Sequence, residues 1–133
     1  MKNLKDIINL EKDKTSFVCG LGPSLSDTIG HIIKERKNIV LVSCNDIDLI
    51  SDLQPNYWVW ANTQQVGSLI DRLKRMPNTS LVHADSVDST PRWWIEKNLG
   101  NLNYVGYDQR HFDNKTCYSC ANGCQNFISD RLT

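Results

Sequence analysis

Five residues between an apolar run and a helical pattern carry the clearest chemistry in this chain. Gly20-Leu21-Gly22-Pro23-Ser24 follows Phe17-Val18-Cys19 and precedes Leu25, Ile29, Ile32 and Ile33, whose 3, 4 and 7 spacing marks one face of a helix. Glycines at such a turn let the backbone approach a ligand, because no Cβ intervenes. Pro23 suits the first helical turn, where a missing N–H removes no needed donor. Ser24 or Ser26 can cap the free N–H groups, or Ser24 can offer its hydroxyl to a phosphate oxygen, with the helix dipole favouring the anion. Both an anion site and an ordinary capped turn are consistent with these residue types. Leu25 stands where the dinucleotide fingerprint G-x-G-x-x-G has its third glycine, and no G-K-[ST] follows. NAD, FAD and a Walker A loop are therefore not indicated.

Further candidates stand at the ends of later apolar runs. Asn45 follows Ser43-Cys44 at the end of one run, Asn62 follows Val59-Trp60-Ala61 at the end of the next, and each carboxamide can donate to and accept from a ribose or a base. Each can equally cap the element that follows it. Asp46, beside Asn45, is placed to bind ribose hydroxyls. Between Asn38 and Asp71 there are four acidic residues, Asp46, Asp48, Asp52 and Asp71, and no Lys or Arg. That acidic stretch would repel a nucleotide unless its carboxylates face solvent or hold a divalent cation. Cys117, Cys120 and Cys124, with His111 upstream, have a spacing that zinc could use. The same positions continue through Phe127 and Ile128 as one apolar helical face, and core packing is the preferred reading. His111, in the polar stretch Asp108–Thr116, is the candidate general base, whereas His31 reads as a helix-surface residue and His83 as a strand-end one.

The elements that must position these residues follow from periodicity. Candidate strands are Ser16–Gly20, Asn38–Ser43, Asn56–Ala61, Thr79–Ala84 and Asn101–Tyr107. Helical patterns fall after the first strand, over Asp46–Leu53, through Val66, Leu69, Ile70, Leu73 and Met76, and from Thr90-Pro91. An opening helix over Asn3–Lys12 is packed by Leu4, Ile7 and Ile8. Trp58 and Trp60 share one strand face, and Trp93-Trp94 face two sides of a helix. Alternating strands and helices predict a single α/β domain. Its architecture is a three-layer Rossmann-like parallel sheet of about five strands with helices on both faces.

The chain has 133 residues, 40% of them hydrophobic, enough for one core without disulfides. Fifteen Lys+Arg balance fifteen Asp+Glu, so nonspecific nucleic-acid binding is disfavoured. The longest aliphatic run, Ile39–Val42, is far too short to span a bilayer, and no secretory leader is evident. Five cysteines, with Cys19 and Cys44 at strand ends, fit reduced thiols in the cytoplasm.

Gly20-x-Gly22-Pro23-Ser24-Leu25 after a hydrophobic strand resembles the G-x-G-P-S-L opening of two groups. These are the bacterial sialyltransferases of glycosyltransferase family 42 and the 6-hydroxymethyl-dihydropterin diphosphokinase family with its motility-accessory relatives. Ser43-Cys44-Asn45 is similar to the sialyltransferase R-C-N, with Ser43 in place of Arg. Val59-Trp60-Ala61-Asn62 is similar to a strand closed by Asn in that family. Thr116–Ala121 loosely resembles the family's helix against the donor nucleotide. The resemblance implies a cytidine-nucleotide sugar bound by Gly20, Leu21, Gly22, Pro23, Ser24, Asn45, Asp46 and Asn62. It also implies a phosphate-stabilising tyrosine at Tyr104 or Tyr107, with no cofactor. The family's own general-base histidine has no counterpart in this sequence, so His111 is the substitute and Tyr107 its catalytic companion. The resemblance thus predicts either part of a longer fold or a minimal relative. Two other readings stand beside it: a diphosphokinase-like enzyme needing Mg2+, and a non-catalytic nucleotide-binding domain that assembles into a homo-oligomer.

Overall fold

The structure, a computed structural model, describes residues 2–60, 66–84 and 90–107. Six strands form one sheet: β1 (Lys2–Asn3), β2 (Thr15–Cys19), β3 (Ile39–Cys44), β4 (Tyr57–Trp60), β5 (Ser80–Ala84) and β6 (Tyr104–Tyr107). All neighbours are parallel, in the order β1-β6-β5-β4-β3-β2. Between them lie α1 (Leu25–Glu35), α2 (Ile47–Ile50), α3 (Ile70–Lys74) and α4 (Arg92–Leu99). This is the Rossmann-like α/β sheet expected from the sequence, with the two-residue β1 added at one edge. No helix among the described residues is long and apolar enough to cross a membrane.

The order of β2 through β6 is sequential, and this decides where the core lies. Right-handed crossovers that always step the same way put every helix on the same face. The buried cluster obeys that rule. From the strands it takes Cys19, Ile39, Leu41, Trp58, Trp60, Leu81 and Tyr104, which alternation and register place on one face. From the helices it takes Leu25 and Ile32 of α1, Ile47 of α2, Leu73 of α3, and Ile95 and Leu99 of α4. Trp58 and Trp60 lie beneath the crossover helices as the alternation predicts, edge to face at 5.6 Å. Trp94 packs against this core while Trp93 is 63% exposed.

The second face is covered differently. β1 and β2 occupy opposite edges, so the chain between them crosses five strand spacings, roughly 24 Å. An α-helix over the expected Asn3–Lys12 would rise only about 15 Å. Instead a 3-10 turn at Leu4–Ile7 is followed by successive tight turns, with Asn9 and Asp13 in the left-handed region at φ 62° and 67°. Asn and Asp tolerate that conformation better than other side chains. The crossing is tied to the sheet where the Tyr57 hydroxyl donates to Glu11 Oε1 at 3.0 Å. Layers thus stand on both faces, four helices on one and these turns on the other. Val40, Val82, Ala84 and Val105 of the second face are buried, but Val18 on the β2 edge is 81% exposed.

Other boundaries also shift. The expected Asp46–Leu53 helix contracts to Ile47–Ile50, and the Val66–Met76 pattern divides into a 3-10 turn (Val66–Leu69) and α3. α4 begins after Pro91, which takes the N-cap position expected for Thr90. The segment from Asp108 onward, with His111, Cys117, Cys120 and Cys124, lies outside the described residues, as does Asn62.

Two outcomes test this layering. In urea denaturation Leu41→Ala should cost about 2–5 kcal/mol, whereas Val18→Ala should cost about 0.5 kcal/mol or less. Burial first, and then the hydrogen bond to Glu11, pushes the Tyr57 phenol from 10.0 up to about 12. The neutral phenol is the form favoured by folding, so its contribution is complete below pH 10 and is lost as the pH rises toward 12. An absorbance titration should show one tyrosine ionising near 12. Glu11→Gln should lower that value while leaving it above 10, because burial is the larger cause.

Candidate functional site

β2 and β3 run parallel with Cys19 aligned to Ser43, so the chain segments that follow them emerge at the same end of the sheet. The Ser43 hydroxyl donates to the Cys19 carbonyl at 2.8 Å and locks the two strand ends together. The glycine turn leaves β2 here, and Asn45 leaves β3 beside it. Gly20, Leu21, Gly22, Pro23 and Ser24 are all exposed. Neither Gly20 nor Gly22 has positive φ, and a Cβ built at either meets no heavy atom within 4 Å. Gly100 provides the contrast, since a Cβ there would approach the Glu96 carbonyl oxygen at 2.6 Å. Packing requires glycine at 100. Neither packing nor backbone conformation requires it at 20 or 22.

The serines do not cap α1. Ser24 precedes the helix in helical conformation, φ −69° and ψ −9°, and its side chain makes no capping hydrogen bond. Ser26 turns its hydroxyl back to the Pro23 carbonyl at 3.1 Å. The helix dipole therefore opens at a turn of exposed residues with no serine oxygen seated on it.

Asn45 is held by its backbone. Its φ is 50°, its N–H donates to the Val59 carbonyl at 3.4 Å, and its carbonyl accepts the Trp58 indole N–H at 2.7 Å. A left-handed residue between β3 and α2 explains the choice of Asn here without a cap, and it leaves the carboxamide on the exposed surface.

Asp46 has a partner that sequence reasoning misses. Arg72 of α3 donates through Nη2 to Asp46 Oδ1 at 2.9 Å, through Nε to Asp48 Oδ2 at 2.8 Å, and through Nη2 to the second Asp48 oxygen. Its guanidinium lies 5.1 Å from the Trp58 ring centroid and 5.4 Å from that of Trp60. The Asp48 bond leads, burial opposes it, and Asp46 adds to it, so the net effect raises the Arg72 pKa. Two of the four acids in the middle stretch thus share one cation. The available signal was an arginine immediately after Asp71, but only folding brings α2 and α3 together.

The tyrosines and histidines are arranged otherwise. Tyr107 ends β6, four strand spacings from β2, roughly 19 Å away. Its hydroxyl donates to the Trp60 carbonyl at 3.5 Å. Tyr104 is buried with its hydroxyl 3.3 Å from Nδ1 of the fully buried His83. The structure therefore does not bring either tyrosine to the glycine turn. His31 stacks on Phe17 at 5.9 Å above the sheet edge, on the helix surface as expected. Trp60, 4% exposed, has a buried indole N–H that meets no acceptor among the described residues. Burial, and secondarily the nearby Cys44, pushes the Cys19 thiol up. Among the described residues no three His, Cys, Asp or Glu side chains converge as a metal site.

Fold and site together define an α/β domain with a Rossmann-like parallel sheet and an exposed glycine turn at its edge. Comparisons with protein-family models, with curated proteins and with solved structures find no match for the chain.

The Arg72 fork carries a stability prediction. Arg72→Met strands Asp48, whose side chain is only 9% exposed, and should cost about 3–5 kcal/mol in chemical denaturation. Adding Asp48→Asn to that variant should recover part of the loss.

Proposed function

We propose that the Gly20–Ser24 turn and the N-terminus of α1 hold the phosphate of a nucleotide or nucleotide sugar. In this reading the chain is a glycosyltransferase-like domain of the kind that the sialyltransferase resemblance implies. One observation carries it: two exposed glycines, required by neither φ nor packing, stand at an uncapped helix N-terminus. A ligand that must approach the backbone closely supplies the missing reason for them.

Asn45, exposed at the neighbouring strand end, is placed to hydrogen-bond a ribose or base. Asn62 continues that line in the reading from resemblance. Asp46 keeps one carboxylate oxygen on Arg72 and has the other for a ribose hydroxyl. His111 is the base that transfer to an acceptor hydroxyl would require. The free thiols of Cys19 and Cys44 suit a reducing compartment such as the cytoplasm.

The distance from Tyr107 to the turn favours a second reading, a nucleotide-binding domain without transferase chemistry, because no described tyrosine reaches a phosphate held there. A diphosphokinase-like enzyme would instead require Mg2+ with a nucleoside triphosphate.

A thermal-shift series with CMP, CDP, UDP, GDP, ATP and GTP, with and without Mg2+, tests these readings on the wild type and on Gly22→Val. A nucleotide at one hundred times its Kd should stabilise the wild type by about 2.7 kcal/mol. Gly22→Val should leave the unliganded Tm within about 2 °C, since the site is open and φ is ordinary, and should abolish the shift. A cytidine-specific shift supports the glycosyltransferase-like reading. Equal shifts in both proteins would remove the turn from consideration.

A further inference from the structure

The last turns of α1 and the segment that joins α2 to β4 border a groove of about 730 Å3. That volume falls in the range of small-molecule sites. The groove lies toward the far end of α1 from the glycine turn, a helix of 11 residues that rises about 16 Å. Ile29 and Ile33, one turn apart, line it from α1, and Leu53 lines it from the segment before β4. Ile33 is 61% exposed, although Leu25 and Ile32 of the same helix are buried.

Arg36 and Lys37 line the same groove. Arg36 and Arg72 are both half-buried, but they are held differently. Arg72 rests on the carboxylates of Asp46 and Asp48. Arg36 donates only to neutral oxygens, through Nη2 to the Gln54 carbonyl at 2.7 Å and through Nη1 to the Ile39 carbonyl at 3.4 Å. These two bonds fix the guanidinium, use two of its five N–H groups, and leave its charge without a counter-ion. Lys37 is exposed and forms no ion pair among the described residues. Against these two cations the groove sets one carboxylate, that of the exposed Asp52, and the partial negative charge of about one half at the C-terminus of α1. The balance stays positive beside an apolar wall.

We propose that this groove binds an amphipathic monoanion, a small carboxylate with an aliphatic tail. The carboxylate accepts from the free N–H groups of Arg36 and from the Lys37 ammonium, and the tail covers Ile29, Ile33 and Leu53. A guanidinium already held by two carbonyls loses little freedom on meeting the anion, its bonds to a carboxylate are of the strong, charge-assisted kind, and apolar surface taken from water supplies the rest. An apolar amino acid is the competing ligand, because Asp52 would receive its ammonium group, but the positive balance favours the simple anion. The site is independent of the phosphate reading of the turn.

Amide correlation NMR of the full 15.2 kDa chain, titrated with octanoate, hexanoate, octylammonium and leucine, tests the proposal. Octanoate should shift the amides of residues 29–37 and 51–54 saturably, with a Kd of about 1 mM. Hexanoate, two methylenes shorter, should bind about fivefold more weakly. Octylammonium, which has the same tail and the opposite charge, should bind more weakly than octanoate. Arg36→Gln should weaken octanoate about tenfold. Lys37→Glu, at an exposed position where the fold is not at stake, should weaken it about fivefold and reverse its order with octylammonium, whereas Asp52→Asn should tighten it about twofold. Ile33→Ser should cost octanoate and octylammonium alike about threefold. Octylammonium matching octanoate in the wild type, or no saturable shifts in these two segments at about ten times the expected Kd, overturns the site. Leucine binding more tightly than octanoate, and losing that binding in Asp52→Asn, overturns the monoanion in favour of the amino acid. Gly22→Val should bind octanoate as the wild type does, and a loss of binding there would overturn the placement in this groove.

Discussion

A right-twisted parallel strand accepts crossovers of one hand, and in this chain that constraint decides most of the architecture. Five strands laid down in sequential order, each step in the same direction, put α1, α2, α3 and α4 on one face and collect a single buried cluster there. The first connection steps the opposite way and so runs on the opposite face, by turns instead of a helix because an α-helix of that length would be too short for the span. The Glu11 to Tyr57 hydrogen bond is the stitch that holds this crossing to the sheet. A sheet wound in this way has its β2 edge as a boundary, and the glycine turn stands at that boundary.

Beside the turn, the sheet end is organised by Arg72. Its fork on Asp48 and its bond to Asp46, with the two indole rings beneath it, set one cation against two of the four acids of that stretch. Trp58 serves twice, as core beneath the helices and as donor to the Asn45 carbonyl, which holds Asn45 in its left-handed turn. These contacts fix the backbone at the end of β3 without engaging the Asn45 carboxamide. The electrostatic obstacle posed by four acids and no base in the middle of the sequence is thereby reduced by a residue one position beyond that stretch.

Much of the architecture was legible in the residues. Strong β-branched runs located four of the five longer strands within one residue and the fifth, Tyr104–Tyr107, within three, since a buried parallel strand leaves a continuous apolar signature. The placement of Trp58 and Trp60 on one strand face, and of Trp93 and Trp94 on two sides of a helix, came from simple periodicity. The opening helix was not legible as turns, because Leu4, Ile7 and Ile8 have helical spacing and only the required span disallows a helix. The serines near α1 looked like caps by type, yet Ser26 bonds backwards and Ser24 is already helical, choices set by local backbone geometry.

Short-range chemistry in the sequence determined which segments become strands and helices, where the glycine turn falls, and that Asn45 and Asp46 come directly after the neighbouring strand. Tertiary structure decided the rest: the sequential order, the edge position of β2, the capture of Asp46 and Asp48 by Arg72, and the separation of Tyr107 from the turn. The physical reason is range. Periodicity and propensity act over a few residues and are written in the chain, whereas strand order and ion pairing join residues tens of positions apart and exist only once the crossovers have closed.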